Sequence, residues 1–275
     1  MKPKNSTIAA RGAVITLLVL AALITLTPVV WLIAATTKNP DDFWSYYFFA
    51  PRLSNENFKA LFAAIPFGLY VINSAFVTSS VVVIQLFFSS LAGFSLAKYD
   101  FKGRNVVTVL MLTTVMIPGQ VIMAPLYEQI YRLGLMDTHA GLIIPGAVSV
   151  FGIFLFRQAM MQVPDEMMHA ARIDGASEFQ IYWGIVMPVV RPMVGAFCLI
   201  SFMGAWNNFL WPQIILHTGS NFTLPIGLNS LVGLQQQQYG ALMAGTLLSI
   251  LPVVVLFLLL QKEFIAGLTS GSVKG

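Results

Sequence analysis

Residues that could catalyse a reaction or hold a metal are few in this sequence and widely spaced. The three histidines stand far apart, at positions 139, 169 and 217, and Cys198 is the only cysteine. The chain has neither a His-Glu-x-x-His pattern nor the Gly-x-x-x-x-Gly-Lys-[Ser/Thr] loop that binds nucleotide phosphates. The sequence therefore predicts a protein that is not an enzyme, has no metal site, and has no ATP site of its own.

One charged segment, residues 163–188, carries the clearest local signals. It opens with Pro164 followed by two acidic residues, and negative charge in the first turn of a helix is favoured by the helix dipole. Gly175 can adopt the positive φ that ends such a helix. Ser177 with Gln180 is a capping-box pattern for a second helix. The segment is predicted to fold as a helix, a tight turn and a second helix that ends at the last residue of the segment.

Small residues occupy the middle of this segment, namely Ala170, Ala171 and Gly175, beside the flexible side chains of Met167 and Met168. Small residues let another surface approach closely, and methionine adapts to irregular apolar contacts. The segment could dock another protein or could be a hairpin packed on its own bundle. The residue types alone favour neither alternative.

The elements that position this segment are predicted to be membrane helices. The chain has 275 residues, of which 57% are hydrophobic and only 9% charged, and its mean hydropathy is +0.79. Long stretches contain no charge, and a helix needs about 20 apolar residues to cross the hydrocarbon core. We predict an all-α membrane protein with six transmembrane helices, within residues 12–37, 66–98, 105–127 and 138–156 and in the two halves of 192–261 around a polar loop at 217–238.

The first apolar run, of 26 residues, exceeds the length of a signal-peptide core, so an uncleaved span is expected there. With the N-terminus inside, 11 basic residues are cytoplasmic and 4 are external, in agreement with the positive-inside rule. Both termini are then cytoplasmic. The net charge of +4 is explained by topology and gives no support to nucleic-acid binding.

Uncharged polar residues inside the spans are candidates for a solute path, and we single out Asn73, Gln120, Asn207 and Asn208. Each could instead form a hydrogen bond between helices, as polar residues in membranes often do. Ionisable residues are almost missing from the spans, which argues against an ion-coupled secondary carrier. That carrier and a scaffold with no transport role remain the alternatives.

Segment 163–188 resembles the cytoplasmic signature of the permeases of binding-protein-dependent ABC importers. That signature reads Glu-Ala-Ala, three residues, Gly, nine residues, then Ile-x-Leu-Pro. The residues in register are Ala170, Ala171, Gly175, Ile185 and Pro188. Further matching pieces are NSAFVTS from Asn73, LAKYDFKGR from Leu96, MIPGQVIMAPLY from Met116, LGLMDTHAGLIIP from Leu133, AARIDGAS from Ala170, WNNFLWP from Trp206 and QKEFIAGLTSGSVKG from Gln261. The chain is similar to the carbohydrate-uptake group that includes the smaller maltose-transporter permease.

Two positions depart from the signature. Met187 stands in place of leucine, which conserves volume. His169 stands in place of the glutamate that pairs with a basic residue of the ATPase, and an imidazole cannot accept that pair. Glu166 lies three residues earlier on nearly the same helical face, so we hypothesise that it takes over the contact.

The resemblance implies the type I ABC importer permease fold and a multi-pass protein of the bacterial cytoplasmic membrane, surrounded by lipid. The implied assembly has two permease subunits, two ATPase subunits that bind ATP and Mg²⁺, and an extracytoplasmic solute-binding protein. The chain would carry a sugar or related neutral solute. The residues implied to couple to the ATPase are Glu166, His169, Ala170, Ala171, Asp174, Gly175, Ile185 and Pro188.

The resemblance also implies that the C-terminal tail contacts the ATPases through Gly267, Gly271 and Gly275. We expect three parts along the chain. Residues 1–68 hold the first helix and an outer segment, residues 69–261 form the core permease domain with loop 163–188, and residues 262–275 form a cytoplasmic tail.

Overall fold

The computed structural model describes residues 5–233 and 238–269, and every regular element within them is helical. The α-helices are α1 (Asn5–Thr36), α2 (Glu56–Ala64), α3 (Phe67–Lys98), α4 (Arg104–Thr114), α5 (Gly119–Arg132), α6 (Ala140–Ile143), α7 (Val150–Met160), α8 (Asp165–Ile173), α9 (Glu178–Ile181), α10 (Met187–Val189), α11 (Arg191–Trp206), α12 (Leu210–Ile215), α13 (Leu224–Asn229) and α14 (Tyr239–Thr269). Short 3₁₀ turns occur at Pro40–Asp42, Pro145–Ala147 and Gly219–Asn221, and a π-helical turn spans Tyr182–Val186.

Within the described residues, four helical stretches are long and apolar enough to cross a membrane: Arg11–Thr36, Phe67–Lys98, Arg191–Ile215 and Tyr239–Gly267. Two bent pairs raise the number to six if each pair is one span. The pair α4 and α5 bends by 98°, and the pair of Pro145–Met160 with α8 bends by 79°. The prediction of membrane helices is confirmed, and the described residues contain four to six candidate spans by length and composition.

The predicted third span, 105–127, is not one straight helix. It breaks between α4 and α5, where Pro118 takes an extended ψ of 129°. Proline has no N–H to continue the helix, and it disfavours helical backbone in the residue before it. The predicted fourth span, 138–156, is broken in the same way. The turn at Pro145–Ala147 separates the four-residue α6 from α7.

The described chain falls into two compact units. One comprises the residues up to Phe67 together with Leu228–Leu248, and the other comprises Gly68–Gly227 and the residues from Ser249 onward. The unit boundary between Phe67 and Gly68 lies one residue before the predicted division at 68/69. Helix α14 runs past 261/262 without a break to Thr269. The predicted division into three parts stays a prediction.

In the first unit, a buried amide closes the end of α1. Asn57 on α2 donates from Nδ2 to the carbonyls of Thr36 at 3.1 Å and Lys38 at 2.8 Å. The last carbonyls of a helix have no partner within the helix, so a side-chain donor satisfies them. Within α1, no side chain of the most apolar 18-residue window is buried inside the chain, as expected for a helix that lipid or another subunit covers.

The second unit has two apolar clusters. One surrounds segment 163–188 and joins it to α3, α7 and α11, with Phe94, Phe156, Met168, Tyr182 and Phe197 among its buried members. The other joins α3 to α5, α6 and α12, with Val77, Ile130, Leu142, Trp211 and Ile215. Helix α3 contributes to both clusters.

The contact between α3 and α7 depends on a glycine. A Cβ at Gly93 would lie 2.6 Å from Phe156 Cβ and 2.9 Å from the Arg157 backbone nitrogen, so no side chain fits without separating the two helices. At Gly68, in the first turn of the same helix, a Cβ would meet nothing within 4 Å.

We therefore predict that Gly93→Ala destabilises the protein by about 1–3 kcal/mol, the usual range for overpacking a core. Gly68→Ala is the matched control, since alanine favours helix and has free space there. The melting temperature of the detergent-purified protein, followed by tryptophan fluorescence, measures both. A Gly93→Ala protein that melts at or above the wild-type temperature would contradict the packing described.

Candidate functional site

Segment 163–188, hereafter called the coupling loop after the role that the resemblance implies, folds as the predicted helix, turn and helix. Helix α8 carries Asp165 and Glu166 in its first turn. It ends in a Schellman motif, in which the N–H of Gly175 bonds to the carbonyl of Arg172 at 3.1 Å and the N–H of Ala176 to that of Ala171 at 2.9 Å. Gly175 has φ +81°, the left-handed conformation that glycine adopts without strain.

The second helix of the loop begins with the predicted capping box. The Gln180 N–H donates to Ser177 Oγ at 3.4 Å, and the Ser177 N–H donates to Gln180 Oε1 at 2.7 Å. The helix does not end at Pro188 as predicted. It widens into the π-helical turn Tyr182–Val186 and continues through Pro188 to Val189. We attribute the wide turn to the proline, whose ring would clash with a carbonyl of a regular helix one turn earlier.

The two faces of α8 differ in what they contact. Met168 and Ala171 are buried in the chain's own apolar cluster, so the small size of Ala171 serves internal packing. Glu166, His169, Ala170 and Asp174 lie on the exposed side. Glu166 and the His169 ring form no hydrogen bond or ion pair with the part of the chain that the structure describes.

Within the rest of the loop, Ile185 is partly buried against the same cluster, and Pro188 is exposed. The loop also exposes large apolar side chains. Ile173 is 86% exposed, Phe179 60% and Trp183 61%.

Ion pairs fix the loop from within and from α3. Arg172 donates to Glu178 through Nε at 2.7 Å and Nη2 at 3.1 Å, a bidentate pair across the Gly175 turn. The hydroxyl of Tyr99 donates to the same carboxylate. The Arg172 guanidinium, followed by the Tyr99 hydroxyl, lowers the pKa of Glu178 to about 2.

The pH range in which this pair stabilises the loop follows from the lowered pKa of Glu178. A carboxylate whose folded pKa is depressed contributes stability that is fully present above its usual pKa of 4.5 and is lost as the pH falls through about 2. The carboxylate is therefore charged, and the pair intact, throughout the neutral range.

A second ion pair fixes the start of α8. Lys98 donates from Nζ to Asp165 Oδ1 at 2.7 Å and also to the carbonyl of Val163, and its side chain is only 4% exposed. The Lys98 ammonium holds the pKa of the Asp165 carboxyl below its usual value. Sequence reasoning missed Lys98, Tyr99 and Glu178 as loop contacts. The only local signal for these contacts is that the two acceptors, Asp165 and Glu178, stand in the first turns of short helices.

A cavity of about 300 Å³ lies in the second unit, between α3, the turn before α7, and α11 with the residues that follow it. Its polar lining comprises Ser74, Thr78, Gln85, Ser149, Ser201, Asn208 and Thr223, and none of the described residues that line it is ionisable. Gln85 donates to the Gly146 carbonyl at 2.6 Å and accepts from Ser201 Oγ at 2.6 Å. The Thr223 hydroxyl is buried and finds no partner in the described part of the chain.

Of the four residues singled out for a solute path, only Asn208 lines this cavity. Asn73 donates to the carbonyls of Ser220 and Phe222, each at 2.9 Å, and so holds a loop. Asn207 donates to the Met203 carbonyl of its own helix at 2.9 Å. Gln120 is exposed in the first turn of α5.

Comparison with known proteins decides the family. Residues 85–266 match the family described as binding-protein-dependent transport system inner membrane component. The chain is 42% identical over 226 residues to the arabinooligosaccharides transport system permease protein AraQ of Halalkalibacterium halodurans, an overlap that covers 81% of this chain and 80% of the relative. It is 34% identical over 255 residues to the lactose transport system permease protein LacG of Rhizobium radiobacter, covering 93% of each.

The chain belongs to this family of transport permeases. Its fold agrees with that assignment. A chain in the crystal structure of a bacterial ABC transporter involved in the import of the acidic polysaccharide alginate superposes on it with a TM-score of 0.85 at 22% identity, covering 96% of this chain and 99% of that one. Family membership confirms the predicted permease role and does not favour the secondary carrier or the scaffold.

The end of the permease's last helix differs from the expected tail. Helix α14 continues to Thr269, and a Cβ at Gly267 would lie 2.8 Å from the carbonyl oxygen of Pro192 and 3.0 Å from Ala196 Cβ. Gly267 therefore allows α14 to approach α11 closely within this chain. Gly271 and Gly275 lie outside the described residues.

A cluster of hydrogen bonds around Asp137 holds the loop after α12. Its carboxylate accepts from the N–H groups of His217 at 2.9 Å and Thr218 at 3.0 Å and from the Thr218 hydroxyl, while its carbonyl accepts from Asn221 Nδ2 at 2.7 Å. These donors, led by Thr218, hold the pKa of Asp137 well below its usual range. Asp137 has φ +57°, a conformation that aspartate tolerates better than most residues.

We predict that Asp137→Ala frees this loop. The amides of His217 and Thr218 lose a charged acceptor, worth about 1.5–3 kcal/mol, so their hydrogen exchange should accelerate by about tenfold or more. Because the pKa of Asp137 is lowered, the wild-type protection should persist at neutral pH and be lost only in strong acid. The matched control is Glu128→Gln, which breaks an exposed pair with Arg132 on α5. Equal hydrogen-exchange rates of these two amides in the wild type and in Asp137→Ala would show that the Asp137 carboxylate does not hold the loop.

Proposed function

We propose that the permease forms half of a sugar pathway and receives force through its coupling loop. Two cytoplasmic ATPase subunits with ATP and Mg²⁺ would supply the force, a second permease subunit would complete the pathway, and an extracytoplasmic binding protein would deliver the solute. The observation that carries this proposal is the exposed apolar surface of the coupling loop, formed by Ile173, Phe179 and Trp183. A surface of this kind on a rigidly held turn is typical of a protein contact.

The proposed topology has six crossings and both termini in the cytoplasm. The excess of basic residues on one side supports it. Helix α8 has Asp165, Glu166, His169 and Arg172 among its nine residues, so we place it in water beside the membrane and not within the span that α7 enters. The bent pair α4 and α5 counts as one crossing in this topology.

Glu166 and His169 share the exposed side of α8, which is why the charge contact with the ATPase is assigned to Glu166. Shape would carry the rest of the docking, through Ala170, Gly175 and the apolar side chains around them. The assignment of Gly271 and Gly275 to ATPase contacts stays a proposal.

The proposed solute is neutral and rich in hydroxyl groups. No ionisable residue lines the cavity, whereas an acid such as alginate would call for basic partners. Serine, threonine, asparagine and glutamine side chains bond to hydroxyls without charge. The buried and unpaired hydroxyl of Thr223 adds a ready partner. AraQ and LacG are named for neutral sugars, which supports an arabino-oligosaccharide as the first solute to test.

The docking proposal predicts that Ile173→Asp lowers binding-protein-stimulated ATP hydrolysis by about tenfold or more, because an acid on an apolar docking surface must be desolvated. The matched control is Leu53→Asp, at a residue 84% exposed outside the loop. Hydrolysis is measured with the complete transporter in nanodiscs. Full stimulation of ATP hydrolysis with Ile173→Asp would refute the docking surface.

The assignment of the charge contact to Glu166 predicts that Glu166→Gln weakens the stimulation of ATP hydrolysis in the same assay. An unchanged rate would show that Glu166 is not part of the contact.

The solute path predicts a difference between two adjacent asparagines. Asn208→Ala should raise the KM for arabinotriose-stimulated ATP hydrolysis about fivefold to tenfold, the cost of one hydrogen bond of about 1–1.5 kcal/mol. Asn207→Ala should leave KM within about twofold, because Asn207 bonds to its own helix. If both variants had the same KM, the cavity would not be the path.

A further inference from the structure

We propose that α3 transmits the motion of the coupling loop to the wall of the cavity, and that Lys98 and Tyr99 are the positioning residues that attach it to the loop. This inference rests on the proposed function. Beyond that function, it identifies the helix that moves with the ATPases and the two side chains that connect this helix to the loop.

The last residue of α3 and the residue after it are attached to both helices of the loop. Lys98 bonds to Val163 and Asp165 at the start of α8, and Tyr99 bonds to Glu178 at the start of α9. Lys98 and Tyr99 are adjacent, so together they hold the first turns of both loop helices. We call these two attachments the clasp.

Two further features strengthen the attachment. About two turns of α3 before the clasp, the hydroxyls of Ser90 and Tyr182 lie 2.7 Å apart and are buried, which attaches the π-helical turn of the loop to α3. The amine of Lys98 is shielded from water, and a buried charge held by two acceptors is costly to release. The clasp should therefore persist while the loop moves.

Helix α3 can carry motion along its length because it is continuous. It has 32 residues and contains no proline, whereas α1, α5 and α14 each contain one. Its close contact with α7 at Gly93 also holds it laterally. Proline-free helices in a packed bundle resist bending, so a displacement at one end reappears at the other.

The other half of α3 forms one wall of the cavity. Ser74, Val77, Thr78, Val81 and Gln85 line it at helical spacing. Gln85 then connects this wall to the turn before α7 and to α11 through Gly146 and Ser201. The distance from Lys98 to Gln85 along the helix is about 20 Å at the usual rise per residue.

A competing route runs through α11, which follows the loop directly in sequence and also lines the cavity through Ile200 and Ser201. The backbone between α10 and α11 leaves helical geometry at Val190, with φ −90° and ψ 14°. That break can absorb motion at the junction. Helix α3 has no such break before Lys98, which is why we assign transmission of the motion to α3.

The test measures whether nucleotide changes the accessibility of a cysteine on the α3 wall. Cys198→Ser removes the chain's only cysteine, and Val81→Cys places a reporter on the cavity face of α3. The complete transporter in nanodiscs is labelled with a small methanethiosulfonate reagent, without nucleotide and with ATP, Mg²⁺ and vanadate. We expect the labelling rate to differ between these states by about fivefold or more, as for ordinary coupling energies.

Combining Lys98→Met with Tyr99→Phe should reduce this difference to less than about twofold, while ATP hydrolysis continues. Lys98→Arg should keep it, because arginine retains the charge. Asp100→Asn, whose fully exposed carboxylate pairs with Arg104 only at 4.0 Å, is the control and should behave as wild type. Asp165→Asn weakens the attachment of Lys98 without altering α3 or the Arg172–Glu178 pair. It should reduce the difference partly, and it replaces the double variant if that variant does not assemble.

A wild-type rate that does not change with nucleotide would overturn transmission by α3. A full difference in the assembled double variant would overturn the clasp and assign the motion to α11. Failure of the wild-type chain to assemble with an ATPase would instead refute the proposed function, so the two failures are distinguishable.

Discussion

Hydrocarbon offers no water to a backbone carbonyl that loses its helical partner, and this constraint shapes the second unit of the permease. Where helices break at Pro145 and after α12, side chains from neighbouring helices supply the missing donors. Gln85 bonds to the carbonyl of Gly146, the Trp211 indole to that of Gly141 at 3.1 Å, and Asn73 to that of Phe222. Of these three side chains, Gln85 also lines the cavity, so one residue both satisfies a broken helix and supplies a polar group to the cavity wall.

Some residues of the coupling loop pack against the chain's own bundle, and others remain exposed. Met168, Ala171 and Tyr182 fix it to the bundle, and the pair of Arg172 with Glu178 holds its two helices at a set angle. Ile173, Phe179 and Trp183 remain exposed on its outer side. A rigid turn of this kind can transmit a displacement, since packed interfaces shift between discrete arrangements and do not deform gradually.

Local signals predicted the loop because its caps lie within a few residues of each other. Gly175 and the Ser177–Gln180 box are confirmed, and the membrane helices followed from long uncharged runs. Contacts distant in sequence could not be predicted in this way. Lys98 is 67 residues from Asp165, and Tyr99 is 79 residues from Glu178. Nothing in the pattern distinguishes these residues from other charged and polar groups at a helix end.

The same limit explains why three of the four path residues are not at the cavity. Sequence shows that Asn73 and Asn207 are polar residues in apolar surroundings, but not whether a carbonyl lies within their reach. The breaks within the third and fourth spans have prolines at them, yet a proline alone does not distinguish a gentle kink from the 98° bend between α4 and α5.

The proposed contact of the exposed face of the coupling loop with the ATPase is tested most directly by a photoreactive phenylalanine analogue at Phe179 in the complete transporter. We predict a cross-link to an ATPase subunit, with a yield that changes when ATP and Mg²⁺ are added. Cross-links only to lipid or to this chain itself, in a transporter that still hydrolyses ATP, would contradict the account.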